Sequence, residues 1–278
     1  MNNIINAMSV DVEDYFQVSG FETTVNRQDW DTMEHRVEKN THDILDVFAG
    51  HEVKSTFFML GWVAERYPGL VQRIISEGHE LASHGYSHVR ATEQTPDEFF
   101  SDVDTTKKML EDMSGIKVNG YRAASYSIGE RNLWAIDKLQ EAGYQYSSSI
   151  YPIKHDLYGM PGAPRFAFHH SSNNLLEIPI STIEILGKKL PCGGGGFFRL
   201  YPYFCSSWAI NKVNIKDGQP VIFYFHPWEV DPAQPRVANL PFKSKFRHYL
   251  NLQHMKNRLN RLLTDFQWAR MDDIFLKK

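Results

Sequence analysis

Lys54–Ser83 reads KSTFFMLGWVAERYPGLVQRIISEGHELAS, and its three segments decide the fold. Lys54–Leu60 is a β-rich run. Pro68–Glu77 spaces its apolar residues as a helix does, with Pro68 in a first-turn position and Gly78 just past the end. Glu80–Ser83 reads as another short strand. Strand, helix and strand in succession predict parallel pairing with the helix packed outside. The pattern extends in both directions. Ile4–Asp11 reads as a buried strand ending in acids, and Thr32–Phe48 has helical spacing through Val37, Ile44, Leu45 and Phe48, ending at Gly50. Thr95-Pro96-Asp97-Glu98 is a helix start, a cap followed by Pro and two acids at the positive dipole end, and that helix runs to about Met113 before Gly115. Lys117–Arg122 is strand-like, Arg131–Ala142 helical and Tyr144–Ser149 strand-like.

The predicted class is therefore α/β, a parallel sheet or barrel wrapped by helices. Tyr151–Gly196 breaks the alternation and reads as inserted loops and β-hairpins. Val221–Phe225 is an apolar strand, Phe246–Phe266 an amphipathic helix carrying Arg247, Lys256, Arg258 and Arg261, and Gln267–Met271 a last strand. No repeat or linker divides the chain. The expectation is one domain over residues 1–278, with a loop-rich insertion at about 151–200 and a C-terminal helix at about 245–266.

Composition narrows the function classes. The 278 residues are 42% hydrophobic and 23% charged, which excludes disorder of the chain as a whole. With 30 basic and 33 acidic side chains the net charge is −3, and no electrostatic case for nucleic-acid binding follows. Cys192 and Cys205 form no Cys-x-x-Cys pair, so a disulfide framework and a thiolate zinc site are both excluded. Ser55–Ala64 and Val221–Phe225, the longest apolar stretches, are too short to span a bilayer. The N-terminus reaches acids before any long apolar run, unlike a secretory signal, and the expected location is the cytoplasm.

Four constellations carry chemistry, each at an apparent strand end. In Ser83-His84-Gly85-Tyr86-Ser87-His88, two histidines stand four residues apart, so on a helical turn both imidazoles reach one metal ion. With 12 histidines in the chain, such a pair also arises by accident. Val10-Asp11-Val12-Glu13-Asp14-Tyr15 puts three carboxylates within four residues, a repulsion that a buried strand end tolerates only beside a cation or a basic partner. One carboxylate completes a His-His-carboxylate ligand set and another remains for proton transfer; a solvated acidic turn is the plainer alternative. Arg122, in Gly120-Tyr121-Arg122-Ala123-Ala124-Ser125-Tyr126, can pair with one of those acids, although most arginines are surface residues. The strand before His226-Pro227-Trp228-Glu229 delivers His226 to its end, either as a general acid or as a satisfied core histidine.

Gly193–Gly196 lacks the Gly-Lys-Ser/Thr ending and the strand-to-helix context of a phosphate cradle, and reads as a turn bringing backbone close to a groove. The nearby Phe197, Phe198, Tyr201, Tyr203 and Phe204 offer packing or a sugar platform. The basic face of the C-terminal helix is a solvated surface or a contact for anionic lipid.

In chain order these motifs resemble the polysaccharide deacetylases of carbohydrate esterase family four. Ser9-Val10-Asp11 resembles their Thr-Phe-Asp, His84-Gly85-Tyr86-Ser87-His88 their His-x-x-x-His, Arg122-Ala123-Ala124-Ser125-Tyr126 their arginine loop, and Phe225-His226 their closing Leu-x-His. The likeness is closer to the branch associated with bacterial exopolysaccharide clusters and exosortase systems. It rests there on Val10–Phe16, Tyr146–Pro152, His155-Asp156-Leu157-Tyr158-Gly159, Leu190–Leu200 and Phe225–Glu229, which span nearly the whole chain.

The resemblance implies a distorted (β/α) barrel that removes acetyl groups from an acetylated glycan with a divalent metal, zinc foremost. It implies Asp11 as general base, Arg122 as the residue orienting it and His226 as the acid that protonates the leaving amine. It also implies an oxyanion donor among the backbone N–H groups near Ser125 or Tyr126, and His84 and His88 as metal ligands. In the family the second acid directly follows the first and binds the metal. Here Val12 occupies that position, so Asp14, brought round by a local bulge, is the expected third ligand, with Glu13 the competitor. A related branch with the looser motif hydrolyses cyclic amides without metal, and a glycan-binding barrel without activity is a third reading.

Overall fold

A computed structural model describes residues 4–155 and 159–276. Asp156, Leu157 and Tyr158 of the 155–159 motif lie outside the described residues. The strands are β1 (Ile5–Val12), β2 (Thr56–Met59), β3 (Glu80–Ser83), β4 (Gly120–Tyr121), β5 (Tyr146–Ser147), β6 (Phe168–His169), β7 (Leu176–Glu177), β8 (Thr182–Ile185), β9 (Lys188–Pro191), β10 (Ile222–Phe225) and β11 (Gln267–Ala269). One curled sheet runs β10-β1-β2-β3-β4-β5-β7-β6, with β11 also paired to β1. Every pairing in it is parallel except β6 with β7, while β8 and β9 form a separate antiparallel hairpin. This is the parallel α/β sheet that the alternation predicts, curled as the distorted (β/α) barrel that the resemblance implies, with the hairpin inside the predicted loop-rich insertion.

Side-chain alternation gives the sheet two apolar faces. Met8, Val10, Phe57 and Leu81 point outward and pack with helices Val37–Gly50, Pro68–Ser76 and Pro96–Ser114. Ala7, Phe58, Ala82, Tyr146 and Tyr224 point into the curl. Helix Pro96–Ser114 starts at the predicted cap: Thr95 and Glu98 form a reciprocal capping box, and Gly115 ends the helix at φ 70°. No helix among the described residues is long and apolar enough to cross a membrane.

Of the boundaries that differ from the sequence reading, three move because side chains take over backbone groups. The first helix begins at Val37 rather than Thr32, because its N-terminus is capped by Asp14, which accepts from the amides of Arg36 (2.7 Å) and Val37 (2.9 Å). Strand β4 covers only Gly120–Tyr121, since the Val118 amide donates to Glu111 and the Ala123 amide to Ser149 Oγ. The predicted helix Phe246–Phe266 is two helices, Phe242–Tyr249 and Leu252–Asp265. Asn251 separates them at φ 54°, and the Arg199 guanidinium donates to the carbonyls of Arg247, His248 and Leu250 around the break.

Candidate active site

Register brings the four constellations together. Val10 pairs with Phe225, Asp11 with Phe58, Met59 with Ser83, and Ser83 with Tyr121. Val12 therefore stands in one row with Met59, Ser83 and Tyr121, so the next residues along, Glu13, His84 and Arg122, are level with one another, and Asp11, one step after Val10, is level with His226. All lie at the C-terminal ends of parallel strands, where connecting loops can shape a cleft. Ala7, Ser9 and Asp11 share the inner face by two-residue alternation, and the next residue in that series is Glu13.

Glu13, His84 and His88 each offer a ligand atom within 4.8 Å of the others, and all three residues are buried. The expected ligand Asp14 is not among them. Its carboxylate accepts from the amides of Tyr15 (2.8 Å), Arg36 and Val37, on the opposite side of the chain from the histidines. No bulge turns it inward, because alternation has already placed Glu13 there. The predicted helical turn at the histidines is also corrected. Gly85 (φ 74°) and His88 (φ 54°) lie in a loop, whose Gly85 and Tyr86 carbonyls accept from the amides of Gly61 and Trp62. Arg27 holds the same loop by donating to the carbonyls of Ser87 (3.0 Å) and His88 (3.1 Å).

The charges around the ligand atoms are matched. Burial pushes His84 down to about 4, with His88 adding to that and Asp11 opposing it. Its imidazole is thus neutral near pH 7, and with Nδ1 donating to the Arg122 carbonyl (2.7 Å) the Nε2 lone pair is available. Burial alone would raise Glu13, but His88, His226 and His84 outweigh it and hold the carboxyl at about 2. Glu13 Oε2 faces His88 Nε2 at 3.0 Å, and Oε1 accepts from Trp228 Nε1 at 3.3 Å.

Asp11 is held most closely through one oxygen. The fully buried Arg122 donates through one terminal nitrogen to Asp11 Oδ1 (2.5 Å) and Ser9 Oγ (2.9 Å), and through the rest of its fork to Ser148. Phe58 lies 3.9 Å beneath the guanidinium. Asp11 Oδ2 faces the cleft, where it accepts a long hydrogen bond from the Tyr126 hydroxyl (3.4 Å) and lies 4.0 Å from His226 Nε2. Of the two amides expected near an oxyanion, that of Tyr126 donates to the Ala123 carbonyl at 3.0 Å. Ser125, at φ 51°, lines the cleft.

His226 has a supporting set that the sequence reading quoted within motifs without assigning roles. His226 Nδ1 pairs with Glu229 Oε1 at 2.9 Å, and Glu229 Oε2 accepts from Arg199 Nε at 2.7 Å. Burial would raise Glu229, yet Arg199 and His226 hold it at about 2. Burial would lower His226, yet Glu13 and Glu229 raise it to about 9. The His226 ring stacks on Trp228 (5.1 Å), which stacks on His248 (4.0 Å). The glycine run explains its composition here. A Cβ at Gly193 would stand 2.1 Å from the Ile222 carbonyl oxygen, and one at Gly195 2.3 Å from Glu229 Oε1. The run does lead from β9 into a short helix, Gly195–Leu200, but its close approach is to β10 and Glu229. Together these residues floor a cavity of about 480 Å³, walled by Phe21, Phe197, Leu200 and Phe246. Phe198 and Tyr203 are core residues, while Tyr201 and Phe204 are exposed.

Residues 28–147 match the polysaccharide deacetylase family model, and residues 148–276 match a domain of unknown function, DUF3473. The chain carries a polysaccharide deacetylase domain. Over 99 residues the chain is 36% identical to a peptidoglycan-N-acetylglucosamine deacetylase of Bacillus cereus, covering 35% of this chain and 36% of that one. It is 30% identical over 95 residues to a chitooligosaccharide deacetylase of Bradyrhizobium, covering 34% and 43%. The matched part thus spans less than half the length of either relative. Among solved structures, a Mycobacterium smegmatis protein assigned to the polysaccharide deacetylases aligns over 98% of this chain and 90% of its own, with a TM-score of 0.62 and 17% identity. A family 4 carbohydrate esterase of Streptomyces lividans aligns over 97% and 89%, with a TM-score of 0.50 and 11% identity. At such identities these two likenesses establish the deacetylase fold. The curled sheet runs without interruption from the deacetylase segment into the DUF3473 segment, which contributes His226, Glu229 and Arg199 to the cleft.

Proposed function

We propose that the chain is a zinc-dependent hydrolase that removes acetyl groups from N-acetylated sugars of a bacterial polysaccharide, in exopolysaccharide biosynthesis. The observation that carries this reading is the convergence of Glu13, His84 and His88 beside the Asp11–Arg122 pair. The donor set fits a catalytic metal. It is a His₂–carboxylate set, and its three buried residues bring their ligand atoms within 4.8 Å of one another. The named relatives support the N-acetyl sugar, and the Val10–Phe16 and Phe225–Glu229 motifs support the exopolysaccharide branch.

Glu13, His84 and His88 would hold the ion, which when bound acidifies water and polarises the acetyl carbonyl. The chain's own residues supply the proton transfers. Arg122 fixes Asp11 through Oδ1, so Oδ2 is the oxygen that takes the proton of the attacking water. The Ser125 amide is the oxyanion donor that remains once Tyr126 is bonded to Ala123. Glu229 keeps the Nδ1 proton on His226, and Nε2 then delivers a proton to the departing amine. That step decides the chemistry, because an amide nitrogen leaves only when protonated.

The test is acetate release from N-acetylglucosamine oligomers by chelator-stripped protein, with and without added zinc. Release restored by zinc is expected. Release that survives exhaustive chelation would overturn the metal's role, and zinc binding without release from any N-acetylated glycan would overturn the deacetylase reading.

A further inference from the structure

Helix Phe242–Tyr249, sequence FKSKFRHY, stands at the mouth of the cavity and presents an unusual face. Phe242, Lys243, Lys245, Phe246 and Arg247 are all exposed, Phe242 at 83% and Phe246 at 50%. Phe242 and Phe246 stack on one another at 6.4 Å. Across the same cavity, Phe197 stacks on the exposed Tyr201 at 6.5 Å, and Leu200 is 42% exposed. Phe197, Leu200 and Phe246 wall one cavity, so the two aromatic pairs flank a single opening.

The segment that carries this helix runs against the charge of the whole chain, and its Lys243 and Arg247 line the opening itself. From Phe242 to Thr264 there are three lysines and three arginines and no acid, in a protein whose net charge is −3. Exposed aromatic and aliphatic side chains interleaved with cations, on an amphipathic helix too short to span a bilayer, match the chemistry of an anionic lipid surface. The apolar side chains enter the acyl boundary and the cations meet the headgroups.

We infer that this rim docks the protein on an anionic membrane surface, with the cavity mouth facing the lipid. Under the reading above, the acetylated sugar is then presented at the membrane, as on a lipid-carried glycan. The docking itself does not depend on that activity.

The test is co-sedimentation of the intact, zinc-loaded protein with phosphatidylcholine vesicles and with vesicles also containing phosphatidylglycerol. Binding to the anionic vesicles, weakened by salt, is expected. The variant carries Phe242→Ser and Lys245→Glu, neither of which walls the cavity. Each unit of charge near an anionic surface changes partition about fivefold, and loss of a buried Phe costs a further factor of about ten. Lys245→Glu changes two units of charge, so the double variant should partition about 250-fold less. Its zinc affinity and acetate release from soluble oligomers, measured alongside, should match those of the parent and report separately on the deacetylase reading. Equal, weak binding to both vesicle types overturns the inference. Capture instead by soluble alginate, undiminished by Phe242→Ser alone, also overturns it and makes the rim a platform for an acidic glycan.

Discussion

Replacing Asp14 with Ala and Glu13 with Gln, one at a time, separates two roles that lie side by side in the sequence. Asp14 is fully buried and accepts three amide hydrogens, from Tyr15, Arg36 and Val37, the last two at the start of helix Val37–Gly50. A hydrogen bond to a charged group is worth about 1.5–3 kcal/mol and a helix cap about 1 kcal/mol. The terms overlap, so Asp14→Ala should lower stability by about 3 kcal/mol. For a chain of this size that corresponds to roughly 6–12 °C in Tm. Zinc should still bind, and should still raise the Tm of the variant by mass action. Glu13→Gln keeps the side chain's size and its acceptor for Trp228 but removes an anionic ligand. Losing a residue that merely supports a ligand weakens a metal site by about 10–100-fold, so losing the ligand itself should weaken zinc by at least about a hundredfold. Calorimetric zinc titration and thermal melts with and without zinc read both effects. If Asp14→Ala abolished zinc binding while the metal-free protein melted unchanged, the assignment of the two acids would be reversed. Should Asp14→Ala fail to fold, Asp14→Asn keeps one acceptor and tests the same ordering.

Three further outcomes follow from the geometry. His226→Asn should retain zinc and lower acetate release by at least about a hundredfold, the usual scale for a general acid, and unchanged turnover would remove His226 from that role. Gly195→Ala places a Cβ 2.3 Å from Glu229 Oε1 and must displace it from His226, so turnover should fall about tenfold with zinc affinity intact; a fully active variant would show that the Arg199–Glu229–His226 chain does not matter for turnover. His79 is buried and accepts the Ser55 amide on Nδ1, and burial, with Lys54 adding to it, pushes the imidazole from 6.5 to about 4. The unfolded chain therefore binds a proton at higher pH than the folded one. This contribution is fully present above pH 6.5 and is lost as the pH falls towards 4, by up to about 3 kcal/mol. His79→Gln should flatten denaturant-derived stability across that interval, and an unaltered slope would refute the assignment.

The parallel architecture was legible because each βαβ step carries its own punctuation. Pro68 and Gly78 bracket one helix, and the Thr95–Glu98 box and Gly115 bracket another, so these boundaries were read to within a residue or two. The boundaries that moved are those set by distant side chains. Arg199 breaks the C-terminal helix from about fifty residues away in sequence, and no local propensity announces that. The Arg199–Glu229 pair is hidden for the same reason: only the packing of helix Gly195–Leu200 against β10 shows that the two meet.

The proposed third ligand, Glu13, differs from these cases, because its signal lay in the sequence. If Ile4–Asp11 is a strand with one face to the helices and the other into the curl, then Met8, Val10 and Val12 form one series and Ala7, Ser9 and Asp11 the other. Continuing each series by one residue sends Asp14 towards the helices and Glu13 towards the histidines. The inserted Val12, which breaks the family's paired acids, costs no register: it keeps the second acid on the face of the first by separating them by two positions instead of one. What shifts is the side chain's length and its starting point on the chain. Glu13 begins a residue further along than an adjacent acid would and carries one more methylene, so the same period that delivers Asp11 to Arg122 delivers a carboxylate to His84 and His88 without a bulge.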